Sequence, residues 1–331
     1  MKRIDLGIIG TGIIASEAHA PALERLSDRF RVCALCNHTR PKAEALAARL
    51  GLDAEFIWQD WRLFLEEAPV EAVLVCLPIE LNFPVGQAAA AAGKHVLCEK
   101  PVGQSREEAR EAPGLSARYG VTYMVAEDIH FVPKFSTTAG LVAEGAIGKP
   151  QFMHWNLFRY MELSDKYAKT TWRSRHVYPG GYVLDGGVHF VHVLQMLAGR
   201  VASVRAEALS IEPKLGKIDT AMALLRHENG VLSSLNMSWR ARDSSSQGLR
   251  IFGEKGALLL DESGIVQVDD RGKSRKIGYK EEDGYYLQLL EFHRAVTSGS
   301  PPSISTESAA HDVEVILALL ESAEKGRTIK L

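Results

Sequence analysis

The chain has 331 residues, 24% of them charged and 46% hydrophobic, and a formal net charge of −2. That length accommodates two domains and a core large enough to need neither disulfide nor metal staples. The near-neutral balance without a basic stripe argues against nucleic acid as a partner, and no apolar run approaches a membrane span.

The N-terminus places Lys2 and Arg3 before an apolar run over 6–14 and then Ala18-His19-Ala20, which imitates a secretory signal. Asp5 and the glycines at 7, 10 and 12 interrupt that run, and the same residues read as a strand, a tight turn and a helix. Apolar strands are expected over 4–9, 31–36, 72–77, 95–98 and 121–126. Helices are expected between them, over 12–27, 41–50, 81–92 and 106–119. Strands that are apolar on both faces and alternate with helices imply a parallel sheet covered on both sides. Ser105 and Glu108 form a capping box for the helix over 106–119, and Pro113-Gly114 predicts a break inside it.

Cys33, Cys36, Cys76 and Cys98 all lie in apolar strand-like runs. Cys33 and Cys36 spell C-x-x-C, but on a strand positions i and i+3 face opposite ways, so a local disulfide or metal clip is disfavoured. Buried reduced thiols in a cytoplasmic protein are the expectation.

Near residue 150 the pattern changes. Strands are expected over 150–161, 203–211, 220–227, 231–240, 249–252, 257–260 and 265–268, several joined by tight turns such as Glu228-Asn229-Gly230. Short connections suit antiparallel pairing. Helices are expected over 182–197, 285–297 and 308–324. The predicted fold class is therefore α/β joined to α+β. A doubly wound dinucleotide-binding domain of the Rossmann type spans 1–126. A mostly antiparallel sheet with helices on one face spans 127–331.

Three constellations carry chemistry. The first is Gly10-Thr11-Gly12-Ile13-Ile14-Ala15, a G-x-G-x-x-A turn between the first strand and first helix. Gly10 permits the tight turn, Gly12 lets a pyrophosphate approach the backbone, and the helix start offers free N–H groups to the anion. At the end of the second strand, where NAD binders usually hold an acidic residue for the ribose, stand Asn37, His38, Thr39 and Arg40. Asn37 brings no charge to repel a 2′-phosphate and Arg40 can pair with one, so NADP(H) is slightly favoured over NAD(H). The second constellation is Glu99-Lys100-Pro101, closing the fourth strand at the sheet end where ligands of such folds bind. The third is the helix holding Asp185 and His189, four apart on one face. Asp185 there can orient the imidazole of His189 and stabilise its protonated form. A metal site of Asp185, His189 and His192 is the rival, and no metal is expected, since a dinucleotide explains hydride chemistry without one.

Taken together, the glycine turn, the run Ala92-Gly93-Lys94-His95-Val96-Leu97-Cys98-Glu99-Lys100-Pro101, the helix from Gly180-Gly181 to His189, and the tail with Phe292 and Gly299-Ser300-Pro301 resemble the glucose–fructose oxidoreductase / inositol dehydrogenase / rhizopine-catabolism (Gfo/Idh/MocA) family. The resemblance implies an NAD(P)-dependent oxidoreductase that interconverts alcohol and ketone on a sugar, cyclitol or related polyol. It implies that Lys100 touches the reacting hydroxyl, with Asp185 and His189 as catalytic partners. It places Leu77, Pro78, Asn82, Glu99 and Glu127 along the cofactor and Arg173 at the substrate. It also implies a homodimer or homotetramer through the face of the C-terminal sheet. The chain departs from the family pattern where His192 replaces a common Asp and His130 a common Arg. Two other functions fit the same residues: glycoside cleavage through transient oxidation, and non-catalytic dinucleotide sensing.

Overall fold

The structure, a computed structural model, describes residues 2–175, 177–242 and 247–331. By its contacts the chain divides into two compact units: Met1–Phe131 with Glu282–Ala310, and Val132–Glu281 with His311–Leu331. The first unit runs to Phe131 and recovers the later segment Glu282–Ala310. The helix Gly284–Ser298 returns because its Leu289 and Phe292 are fully buried in the same apolar cluster as Ile4, Leu6 and Phe30. Phe292 lies parallel to Phe30, ring centroids 6.5 Å apart. Burying two such side chains stabilises the unit by roughly 3–6 kcal/mol.

Six parallel strands form the sheet of the first unit: β1 (Ile4–Ile9), β2 (Phe30–Cys36), β3 (Ile57–Trp58), β4 (Ala72–Val75), β5 (His95–Glu99) and β6 (Tyr123–Ala126). Their order is β3-β2-β1-β4-β5-β6, the doubly wound arrangement whose ligand crevice opens beyond the carboxyl ends of the strands. The sequence pattern missed β3, which is two residues long and has no periodicity of its own. The first helix is not regular. Residues Ala15–His19 form a wider turn, with the N–H of Ala20 reaching the carbonyl of Ala15, before the α-helix Ala20–Arg25. Pro21, which lacks a donor for an ordinary helical bond, lies just beyond that wide turn. The predicted break at Pro113-Gly114 is present as a tight turn, Ala112–Gly114, between the helices Arg106–Glu111 and Leu115–Tyr119. The side chain of Ser105 accepts from the N–H of Glu108, as the capping box requires.

The second unit is built on a nine-stranded sheet: β7 (Pro150–Phe158), β8 (Val201–Leu209), β9 (Thr220–His227), β10 (Leu232–Ser238), β11 (Gly248–Gly253), β12 (Gly256–Asp261), β13 (Gly264–Asp269), β14 (Ser274–Ile277) and β15 (Ile329–Lys330). Their order is β14-β13-β12-β11-β7-β10-β9-β8-β15, antiparallel except for β7 beside β10. In β9 the residues Ala221, Ala223 and Leu225 are buried, while the alternate Met222 and Leu224 are 59% and 64% exposed. One face of β9 is therefore covered and the other open, although the open one also carries large apolar side chains. The helix Tyr182–Ala198 lies on the covered face, where Gly186 and Gly187 permit close approach: a Cβ on Gly186 would stand 2.7 Å from the Trp239 ring. No helix among the described residues is long and apolar enough to cross a membrane.

Candidate functional site

The glycine turn follows β1. Gly10 has φ +94°, and a Cβ there would stand 2.1 Å from the carbonyl oxygen of Cys76, so only glycine fits. A Cβ on Gly12 would meet nothing within 4 Å, so the space above it is open. Thr11 is buried, and its Oγ1 has no hydrogen-bond partner. Ile13 and Ile14, half-buried, start the helix. The Asn37 carboxamide accepts from the N–H of Thr11 at 3.2 Å and donates to the carbonyl of Thr39 at 2.9 Å. It thus ties the end of β2 to the glycine turn, a role sequence reasoning did not foresee. Thr39 shares its hydroxyl with the His38 ring at 3.0 Å. Arg40 is turned along its own helix, with Nε donating to Glu44 at 2.9 Å and Nη2 to the carbonyl of Ala54 at 3.2 Å.

On the far side of the turn, Leu77 packs beside Gly10 and Pro78 leads into the helix Ile79–Ala91. Within that helix Asn82 is 1% exposed. Its Nδ2 donates to the carbonyl of Pro101 at 3.3 Å, and its Oδ1 is buried without a partner. Orphaned buried polar atoms are rare. Thr11 Oγ1 and Asn82 Oδ1 lie in the two segments expected to hold a dinucleotide, and the open space over Gly12 suits its pyrophosphate. The residues present fit NAD(P).

Glu99 ends β5. Its carboxylate is buried and meets Nε2 of the fully buried His19 at 2.7 Å, while the His19 ring packs edge-on against Tyr285. His19 was not a candidate from sequence. Its signal is only the spacing from the glycine turn, which places it on the first helix above the sheet end. Cys76 brings its sulfur within 4.8 Å of the same two groups. Burial pushes the Cys76 thiol well above the usual range, and burial also raises the Cys36 and Cys98 thiols to about 12. These sulfurs stay protonated and unreactive at neutral pH. All four cysteines are free, with Cys33 and Cys76 only partly covered rather than fully buried. Lys100 follows at once, half-buried, at the carboxyl end of β5, and Glu127 is buried just beyond β6. His130 is half-buried, its ring edge-on to Phe131.

In the second unit, Gly180 and Gly181 both have positive φ, and a Cβ on Gly181 would stand 2.8 Å from the carbonyl of Ile218. They launch the helix Tyr182–Ala198, with Asp185 in its first turn and His189, half-buried, one turn later. Arg173 donates from Nε to Oδ2 of Asp185 at 2.7 Å and from Nη1 to Thr170 at 3.0 Å, with its guanidinium over the Trp172 ring. Both partners of this ion pair are about a tenth exposed. Burial works against the Arg173 charge, yet the neighbouring Asp185 carries its pKa above the usual arginine value. The expected substrate contact Arg173 is therefore engaged with the expected catalytic carboxylate. His192 faces elsewhere: its Nδ1 meets Asp312 Oδ2 at 2.7 Å, within a buried network that includes Gln195 and His311. Among the described residues, Asp185, His189 and His192 do not bring three ligand atoms together.

The strand order, the glycine turn and its orphaned polar atoms define a dinucleotide-binding oxidoreductase of the Rossmann type with a second, sheet-based domain. The chain belongs to the Gfo/Idh/MocA family: residues 4–127 match its oxidoreductase model with an NAD-binding Rossmann fold, and residues 135–259 match its C-terminal domain. It is similar to a myo-inositol 2-dehydrogenase of Thermotoga maritima, 26% identical over 98% of both chains. It is also similar to a D-xylose 1-dehydrogenase (NADP(+)) of Haloferax volcanii, 26% identical over 98% of this chain and 99% of that one. A crystal structure of an oxidoreductase from Thermotoga maritima superposes with a TM-score of 0.92 at 32% identity, covering 99% of this chain and 98% of the other.

Proposed function

We propose that the protein interconverts an alcohol and a ketone on a sugar, cyclitol or related polyol, with Lys100, Asp185 and His189 as its acid–base set. The observation that carries this reading is the dinucleotide cradle at Gly10–Gly12 and Asn82 in the same unit as Lys100, which stands at the carboxyl end of β5. The named relatives, an inositol and a xylose dehydrogenase, support the substrate class.

Gly10, Thr11, Gly12, Ile13, Ile14, Leu77, Pro78, Asn82, Glu99 and Glu127 would hold NAD(P). When bound, that cofactor supplies the two-electron hydride acceptor or donor. Lys100 donates a hydrogen bond to the substrate oxygen and steadies the negative charge that develops there. His189 takes the hydroxyl proton in the oxidative direction and returns it in the reductive one. Asp185, fixed by Arg173, stabilises the protonated imidazole one turn away. Arg173 acts on substrate mainly through Asp185. Lys100→Met and His189→Ala are each expected to keep cofactor affinity and lose turnover by a factor on the order of 10² or more. Wild-type-like turnover in both variants discards the assignment.

NADP(H) remains the favoured cofactor. The support is the uncharged Asn37 where a carboxylate would repel the 2′-phosphate. Arg40 contributes only if it leaves Glu44. A tenfold lower KM for NADH than for NADPH would reverse the preference. The large apolar side chains on the open face of the second sheet, with Met222 and Leu224 more than half exposed, support pairing of two copies through it. The four free cysteines support a reducing, cytoplasmic setting.

A further inference from the structure

Just beyond β7 and β10 three side chains meet. Tyr160 bridges to Arg240 through the backbone. Its phenol oxygen accepts from Arg240 Nη2 at 3.0 Å and from Arg242 Nη2 at 2.6 Å. Both guanidiniums also lie over the Tyr160 ring, 4.4 Å and 3.7 Å from its centroid. Arg240 is anchored further by donating from Nη1 to the carbonyl of Met161 at 2.7 Å.

Two like charges on one neutral ring repel each other, and a phenol cannot neutralise either. Among the described residues, neither Arg240 nor Arg242 has an ion pair with a carboxylate. Each guanidinium carries five N–H donors, and among the described residues the contacts above leave most of them without a protein acceptor. One of those is Arg240 Nε, which is buried and has no hydrogen-bond partner at all. A buried, charged, unpaired donor is costly unless something accepts from it. By contrast, Arg173 has Asp185 and Arg49 has Glu24 as a carboxylate partner. Among the described residues, the cluster is built and oriented but no carboxylate completes it.

We propose that Tyr160, Arg240 and Arg242 form an anion-binding site for a phosphate or carboxylate group. The planar donor forks of two guanidiniums match the oxygens of such groups, and the tyrosine sets the distance between them. The anion has two possible sources, an acidic or phosphorylated substrate, or free phosphate acting from outside the reaction. The proposal stands apart from the redox reading, since it predicts binding whether or not turnover occurs.

The test is isothermal titration of the full-length protein with sodium phosphate in chloride buffer. One saturable site per chain is expected, weakened about tenfold or more in Arg242→Gln and in Arg240→Gln. Tyr160→Phe keeps the ring and removes the shared acceptor, and is expected to weaken binding by a smaller factor. Arg242 is exposed, so its variant is expected to melt like wild type and carries the test if Arg240→Gln folds poorly. Absence of saturable binding, or affinity unchanged in a natively folded Arg242→Gln, overturns the proposal. Glucose 6-phosphate and glucuronate, compared with glucose, separate the sources. Tighter binding of the charged sugars, lost in Arg242→Gln, assigns the anion to the substrate. Binding of phosphate alone, without preference for the charged sugars, assigns it to a free anion.

Discussion

Two glycines two residues apart do different work. Gly10 exists for the fold, because its positive φ and the Cys76 carbonyl 2.1 Å from a would-be Cβ leave no room for a side chain. Gly12 has open space around it and is needed only if a ligand enters that space. Gly10→Ala is therefore expected to lower the melting temperature, with a cost of several kcal/mol from strain and clash. Gly12→Ala is expected to melt like wild type but to lose cofactor affinity by about tenfold or more, read by titration with NADPH. Equal loss of stability in both would remove the distinction. The Arg173–Asp185 pair makes a second prediction at this scale. Removing the guanidinium takes a charged partner from a buried carboxylate, so Arg173→Met is expected to cost about 3 kcal/mol in denaturant unfolding. Arg173→Lys recovers only part of it, because an ammonium lacks the planar fork.

At the scale of the element, the helix Tyr182–Ala198 carries two of the three proposed catalytic residues, Asp185 and His189, and is pinned at two ends. Gly180-Gly181 fixes its start, and the network of His192, Gln195, His311 and Asp312 holds its later turns to the last helix. His311 is pushed down to about 4, first by burial and then by the nearby charge of Arg200. Its folded pKa lies below the unfolded value near 6.5. The unfolded chain therefore binds the extra proton between those limits, and stability rises with pH across them. The contribution is complete above about pH 6.5 and is lost as pH falls toward 4, amounting to about 3 kcal/mol at the lower limit. Urea midpoints of wild type and His311→Gln at pH 7.5 and 4.5 check this. Wild type is expected to lose more between the two pH values than the variant, and parallel losses would refute the assignment to His311.

The whole molecule raises the question of what covers the open face of the nine-stranded sheet. β8 and β9 present Leu209, Met222 and Leu224 outward, each at least half exposed, where an ordinary solvated sheet alternates to polar residues. Light scattering after size exclusion is expected to show a dimer or tetramer, and Leu224→Glu is expected to shift it toward monomer. A monomeric wild type would remove the inferred pairing. The phosphate site beyond β7 and β10 belongs to the same unit and makes a separate claim about charge rather than oligomer state.

Much of this was legible from residues alone, because local patterns determine it. Apolar runs alternating with helices required a parallel sheet, Gly10-x-Gly12 marked the tight turn after β1, and Pro113-Gly114 broke its helix. Those signals act over a few residues, and neighbours in sequence suffice to read them. What remained hidden depends on partners far apart in the chain. Only the folded structure pairs His19 with Glu99 across 80 positions, Arg173 with Asp185, and His192 with Asp312 across 120. Only the folded structure returns Phe292 to the first core and stacks two arginines on Tyr160. A polar or charged side chain has no preferred partner until the backbone brings one within about 3 Å, because its energy depends on burial and direction that no local pattern encodes.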